Sequence, residues 1–259
     1  MANEIAVWNK VLTNVMQMPG VKVTRESFLT EKLSVYCNGS QLSTVLEKGT
    51  IGNVDMTVLD AIANECIRQH TLMATSASAV MGIPGGLAML GTVPGDVLQY
   101  YYHVFVLAQK LAYVYGYPDL CDENGQFTES AASLLTVFVG VMGGVAAAQK
   151  VIQEVAEQAQ KEILKRLPRY ALTKGFIYPF VKQVAKWIGI SLTKQSFAKG
   201  VSKMVPVLGG LVSGGLTYAT FRPQAKKLMG SLKGTMMLAY ENKRATEEEQ
   251  AASKNPQAS

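Results

Sequence analysis

The chain has 259 residues, of which 48% are apolar and 17% charged, with a net charge of +6. Soluble domains usually carry about 25% charged residues, so either much of this chain is buried between helices or part of its surface meets lipid or a partner. Three widely spaced cysteines, Cys37, Cys66 and Cys121, form no C-x-x-C pair, which argues for a reducing compartment and against a disulfide framework or zinc site. The N-terminal MANEIAVWNKVL lacks a basic region followed by an apolar run, so no secretory signal is expected and cytoplasmic residence is.

The net charge conceals an asymmetry. Residues 1–160 hold 8 Lys/Arg against 14 Asp/Glu, a net of −6. Residues 161–233 hold 14 Lys/Arg against the single acid Glu162, a net of +13, and residues 234–259 carry −1. Such a basic block suits an anionic partner: phospholipid headgroups, nucleic acid, or the acidic half of the same chain.

In chain order, Ile5, Trp8, Leu12, Val15 and Met16 recur at helical spacing, closed by Pro19-Gly20. A second helix is expected over about Arg25 to Cys37, ended by Asn38-Gly39. Ser40 can cap a third that stops at Gly49. From Val54 to about Ala79 the pattern is again helical, and residues 71–95 contain no charge. Two hinges follow, Pro84-Gly85-Gly86 and Pro94-Gly95, because proline lacks an amide donor and forces its predecessor out of helix. Asp96 then sits where a carboxylate caps the next helix. That helix carries Tyr100, His103, Leu107, Leu111 and Tyr115 over about five turns, and Gly116 and Pro118 stop it. The rest of the chain reads as cover for this aromatic segment or as a basic apparatus attached to it.

Thr128 opens another helical pattern, and residues 130–149 form 20 positions without a charge. That is the length that spans a bilayer, and Gly140 and Gly144 have the spacing of close helix contact in lipid. Ser130, Ser133, Thr136 and Gln149 dilute the signal, so a buried soluble helix is preferred. An amphipathic helix runs from Lys150 to Leu167. Beyond Pro168, lysines alternate with Tyr170, Phe176, Tyr178, Phe180, Trp187 and Phe197. Interleaved lysines and aromatics suit a helix lying in a bilayer interface; Lys174, Tyr178, Lys182, Lys186, Trp187 and Lys194 are the candidate lipid contacts. Residues 204–221 are a third uncharged stretch, expected as a buried or membrane-dipping hairpin. A last helix is expected over about Gln224 to Tyr240. From Asn242 the composition is that of a disordered tail.

Three runs together resemble the EcsC family: GGLAMLGTVPGD, AYVYGYPD, and KMVPVLGGLVSGGLTYATF followed by Lys226-Lys227. The matched motifs are a Gly-rich loop ending in Pro94, Gly95 and Asp96; the helix end Tyr115, Gly116, Tyr117, Pro118; and Pro206 with Gly209 and Gly210. The likeness covers roughly residues 54–235. It implies a mostly helical, membrane-associated protein and carries no catalytic residue across.

Asp96 and His103 lie seven apart, on one helix face, and are the weak catalytic candidates. The structural alternative is a cap and a satisfied core histidine, and it is preferred. Asp122, Glu123, Asn124 and Gly125 touch a calcium-loop pattern, but that register places Ala131 where the closing carboxylate belongs, so a surface turn is expected. Gly82 to Gly95 is not a phosphate loop, because no G-x-x-x-x-G-K-[ST] is present and no strand precedes it. No cofactor and no metal site is expected. Nucleic acid is disfavoured, since the basic stretch is rich in Phe, Ile, Trp and Val and poor in Arg.

These readings converge on an all-α multi-helix bundle with Gly/Pro-hinged apolar helices and helical hairpins. Its expected parts are N-terminal packing helices over residues 1–53, the main helical domain over 54–240 and a tail over 241–259. The leading functional expectation is a non-enzymatic, cytoplasmic protein attached peripherally to anionic membrane lipids. The alternatives are a helical adaptor for a membrane transporter complex and a hydrolase-like enzyme using Asp96 and His103.

Overall fold

The computed structural model describes residues 2–80, 95–128, 130–161, 177–201 and 214–254. Among them the chain is all-α: nine helices packed as a bundle, with isolated bridges only at Ile51–Val54 and Cys121–Phe127. The helices are α1 (Ala2–Met16), α2 (Arg25–Leu33), α3 (Gly39–Lys48), α4 (Met56–Val80) and α5 (Gly95–Val114). After them come α6 (Ala131–Met142), α7 (Ala146–Lys161), α8 (Ile177–Val201) and α9 (Gly214–Lys254).

The aromatic helix is the axis of the bundle. Every residue of α5 from Val104 to Val114 except the half-buried Lys110 is buried. A helix apolar on all sides must be enclosed on all sides; α1, α2, α4, α6 and α9 all pack on it. Trp8 of α1 is fully buried between them and stacks edge-on against Tyr101 and Phe105. Its indole Nε1 donates to Thr136 Oγ1 at 3.0 Å, which ties α1 to α6. Buried Gln109 is satisfied at both ends, donating to the Val21 and Phe105 carbonyls and accepting from Val23 N. An unpaired amide there would cost about 1–3 kcal/mol, so this one residue fixes the chain before α2 onto the central helix.

Gly116 ends α5 as expected. Its φ of +81° is the left-handed conformation that glycine adopts without strain, and Tyr117 N donates back to the Ala112 carbonyl at 2.9 Å. Beyond it, Asp119 gathers three donors: Tyr113 Oη, Arg25 N and Cys121 N, each at 2.9 Å. Asp122 accepts from Asn124 N and Gln126 N, so the acidic loop is a hydrogen-bonded turn.

Several expectations need correction. Asn38, expected to end the second helix, instead caps α3 in a reciprocal capping box with Gln41, and Ser40 donates to the Asn38 side chain. The uncharged stretch 130–149 is two helices. Val145 N donates to the Gly140 carbonyl at 2.8 Å, and Gly144, at φ +81°, turns the chain. The 12-residue α6 rises only about 18 Å against a hydrocarbon core of about 30 Å. Gly140 and Gly144 therefore do not form one lipid-facing pair. A Cβ on Gly140 would stand 2.5 Å from Val184 Cγ1 and 2.9 Å from Ala148 Cβ, so its bareness serves the packing of α7 and α8 on α6. Among the described residues, no helix is long and apolar enough to cross a membrane.

The last helix starts ten residues before Gln224 and passes through Pro223. Proline removes the bond to the Ala219 carbonyl, but Ala219 is exposed and water can take its place. The expected tail is helical through Lys254, largely exposed, with Arg244 paired to Glu248 one turn on. Its Ala, Glu, Lys and Gln content favours helix, which the compositional reading as disorder underweighted. The hinge residues Pro84, Gly85, Gly86 and Pro94 lie outside the described residues; Gly95 is the first residue of α5.

Candidate functional site

Two places on α5 hold chemistry. The first faces α4. His70, four residues after Cys66, meets His103 with ring centroids 5.7 Å apart and the rings edge-on. Lys110 Nζ lies 3.1 Å from His70 Nε2. An ammonium can only donate, so His70 Nε2 accepts and its proton sits on Nδ1. The Nδ1 atoms of both histidines are buried and without a hydrogen-bond partner. Burial, with Lys110 close by, pushes His70 down to about 3 and His103 to about 4. Burial likewise lowers Lys110 and pushes the Cys66 thiol up to about 11. The cluster is thus two neutral imidazoles and a neutral thiol around one half-buried lysine.

For the catalytic candidates, this geometry sets His103 against His70 and against the Tyr102 ring, 5.3 Å away. Asp96 lies in the first turn of α5, where a cap was expected, and its side chain lies outside what is described. Among the described residues no group of three or more His, Cys, Asp or Glu could hold a metal ion. The three cysteines are free.

The second place is a cavity of about 210 Å³ between α5, α6, α8 and α9. Val97, Tyr100, Tyr101 and Val104 of α5 form one wall, and Val139, Met142 and Gly143 of α6 another. Trp187 closes the α8 side. Its ring can lie there because residue 143 has no side chain: a Cβ on Gly143 would stand 2.5 Å from the Trp187 ring. Tyr100 Oη donates to Gln224 Oε1 at 2.7 Å and fastens α5 to α9 at the rim.

Along its length α8 is two-faced. Val184, Ala185, Ile188 and Leu192 are buried against α1, α6 and α7, while Lys182, Gln183 and Trp187 are exposed, Trp187 at 41%. Lys186 is half-buried and acts electrostatically on Glu4 of α1. Of the expected lipid contacts, Lys182, Lys186 and Trp187 therefore share one arc of α8. Tyr178 and Lys194 lie on the same helix, but their side chains, like the whole of Lys174, lie outside the described residues.

On α9 part of the positive charge is spent inward. Lys233 pairs with Asp60 of α4 at 2.6 Å, Asp60 also accepts from Tyr115 Oη at 2.9 Å, and Lys226 donates to Asn64. Arg222 remains exposed over the exposed Tyr218.

Sequence reading missed both the histidine pair and the cavity. The first had a signal: Cys66 and His70 are one turn apart and His103 and Lys110 two, so each pair places polar groups on the apolar face of its helix. The second had none, because its walls come from four distant segments.

Comparison of the chain with protein-family profiles, with curated proteins and with solved structures finds no match.

Proposed function

We propose that the chain is a non-enzymatic helical protein that docks on anionic membrane surfaces through the outer face of α8. The observation that carries this reading is the exposed arc of that helix, where Lys182 and Trp187 stand with half-buried Lys186 and opposite a fully packed face. An indole at headgroup depth beside lysines is the chemistry of interfacial attachment. Each lysine close to an acidic leaflet contributes about 1 kcal/mol. Exposed Arg222 and Tyr218 repeat the same pairing of cation and aromatic on α9. The resemblance to the EcsC family implies the same setting.

Flotation with vesicles containing phosphatidylserine, at low and high salt, tests the reading. Binding at low salt, weakened by salt and abolished in Lys182→Glu/Lys186→Glu, is expected; no binding to acidic vesicles at low salt overturns it. Trp187→Ala is expected to weaken binding at both salt concentrations, because its share is apolar rather than coulombic.

A further inference from the structure

The cavity beside Trp187 has a ligand chemistry of its own. Its lining carries no charged side chain, and Val97, Val104, Val139 and Leu192 give it buried apolar walls. At about 210 Å³ it is larger than the ~150 Å³ dry apolar cavity that takes up a benzene ring. It is smaller than the ~300 Å³ at which drug-sized pockets begin. A single slender alkyl chain suits that space, and a fused ring system does not.

One side of the rim is polar and built from donors. With Gln224 Oε1 accepting from Tyr100, the NH2 of the same amide is the end turned away from it. Lys227 follows Gln224 by three residues and Thr220 by seven, so all three lie on one stripe of α9. Its ammonium stands at the C-terminal end of α6, 2.9 Å from where a Cβ on Gly144 would be and next to the cavity-lining Gly143. An apolar slot with an amide donor at its rim, and a cation at the end of α6 just beyond its lining, matches an alkyl chain that ends in an anion.

We propose that this cavity binds the chain of a medium-length carboxylate amphiphile, with Lys227 and the Gln224 amide holding its carboxylate. The ligand enters as a monomer from solution, so the site does not depend on docking to a bilayer.

Isothermal titration of the full chain with sodium decanoate, below its micelle concentration and without vesicles, tests this. The expected result is saturable one-to-one binding, with decyltrimethylammonium at least tenfold weaker. Lys227→Gln should weaken decanoate about fivefold, in keeping with a partly exposed ion pair. Val139→Phe fills the slot from its buried wall, and Ser191→Phe fills it from the half-buried α8 wall, where the fold is less at risk. Each filled variant with an unchanged circular dichroism spectrum should bind at least tenfold more weakly. Absence of saturable decanoate binding, equal binding of the cationic amphiphile, or an unchanged Kd in Ser191→Phe would each overturn the proposal.

Discussion

Lowering the pH from 8 to 5 should cost the fold about 4 kcal/mol, most of it at the contact of His70 with His103. In the unfolded chain both imidazoles titrate near pH 6.5. In the fold, burial first and Lys110 second hold them near 3 and 4. Between those values the unfolded state binds more protons than the folded one, so stability rises with pH. It is fully present above about 6.5 and is lost as the pH falls toward 4. At pH 5 each unfolded imidazole is almost wholly protonated and each folded one almost wholly neutral. The difference is a factor of about 30 per group, or about 2 kcal/mol.

The groups facing the pair do not mask the effect. Lys110 meets His70 as a donor, Cys66 is pushed up to about 11 and stays a thiol, and the Tyr102 ring packs edge-on against His103. Carboxylates held below their ordinary range by hydrogen bonds, such as Glu65 by Arg68 and Asp55 by Thr57, act only below about pH 4.5. Urea unfolding at pH 8, 7, 6 and 5 should therefore give a falling midpoint at constant slope. His103→Phe should roughly halve that fall and lose little stability at pH 8, since it also removes a buried unpartnered Nδ1. A wild-type stability that is flat between pH 7.5 and 5 would falsify the assignment of buried neutral imidazoles. So would an undiminished fall in both His103→Phe and His70→Phe.

The glycines give contrasting predictions. Gly140→Ala should destabilise by about 1–3 kcal/mol through overlap with Val184 and Ala148, and Val184→Ala should restore part of it, a non-additivity readable in a double-mutant cycle. Gly230→Ala, by contrast, meets nothing within 4 Å inside a helix and should raise stability by about 0.5–1 kcal/mol, measured as an increase in Tm. Asp119→Ala strands Arg25 N and Cys121 N, while Tyr113 Oη keeps the Val23 carbonyl at 3.0 Å, and should cost about 1–3 kcal/mol in denaturant unfolding. Removing residues 244–259 should lower the helical circular dichroism signal while leaving the unfolding free energy within about 0.5 kcal/mol, because residues 244–250 are exposed.

What the sequence disclosed and what it hid follow one physical division. Local signals were legible: the 3.6-residue pattern of α5, its stop at Gly116, and the apolar seam of α1 all depend on neighbours within a turn or two. Errors arose where a local signal had two outcomes. Gly144 reads equally as a small residue in a long helix and as a left-handed helix stop, and the Gly140 carbonyl accepting from Val145 decides for the stop. Asn38 could end one helix or begin the next, and Gln41 three residues on selects the second. The alternation of lysines with aromatics singled out Lys182, Lys186 and Trp187 among others, and the structure sets these three on one arc of α8. The His70–His103 contact and the cavity join residues more than thirty apart in sequence, so a pattern within one helix marks at most the polar groups on its own face and not their meeting.

If the chain docks on membranes as proposed, its basic half has two roles that reversal of charge can separate. If it only neutralised the acidic half, its cations would be turned toward acidic or polar groups of the first 160 residues. Lys233 and Lys226 are so turned, toward Asp60 and Asn64. Lys233→Glu would turn a carboxylate toward Asp60, itself held by Tyr115, and exchange an attraction for a repulsion at a half-buried site. A loss of about 2–4 kcal/mol is expected, in the range of a broken partly buried pair. Lys182 is exposed on the outer arc of α8, and Lys182→Glu should cost no more than about 1 kcal/mol, the range of an exposed polar contact. Its effect should fall on vesicle binding, which Lys233→Glu, assayed where it remains folded, should leave nearly intact. Equal losses of stability in the two variants would mean that both lysines hold the fold together, and the outer arc would then have no claim to a membrane.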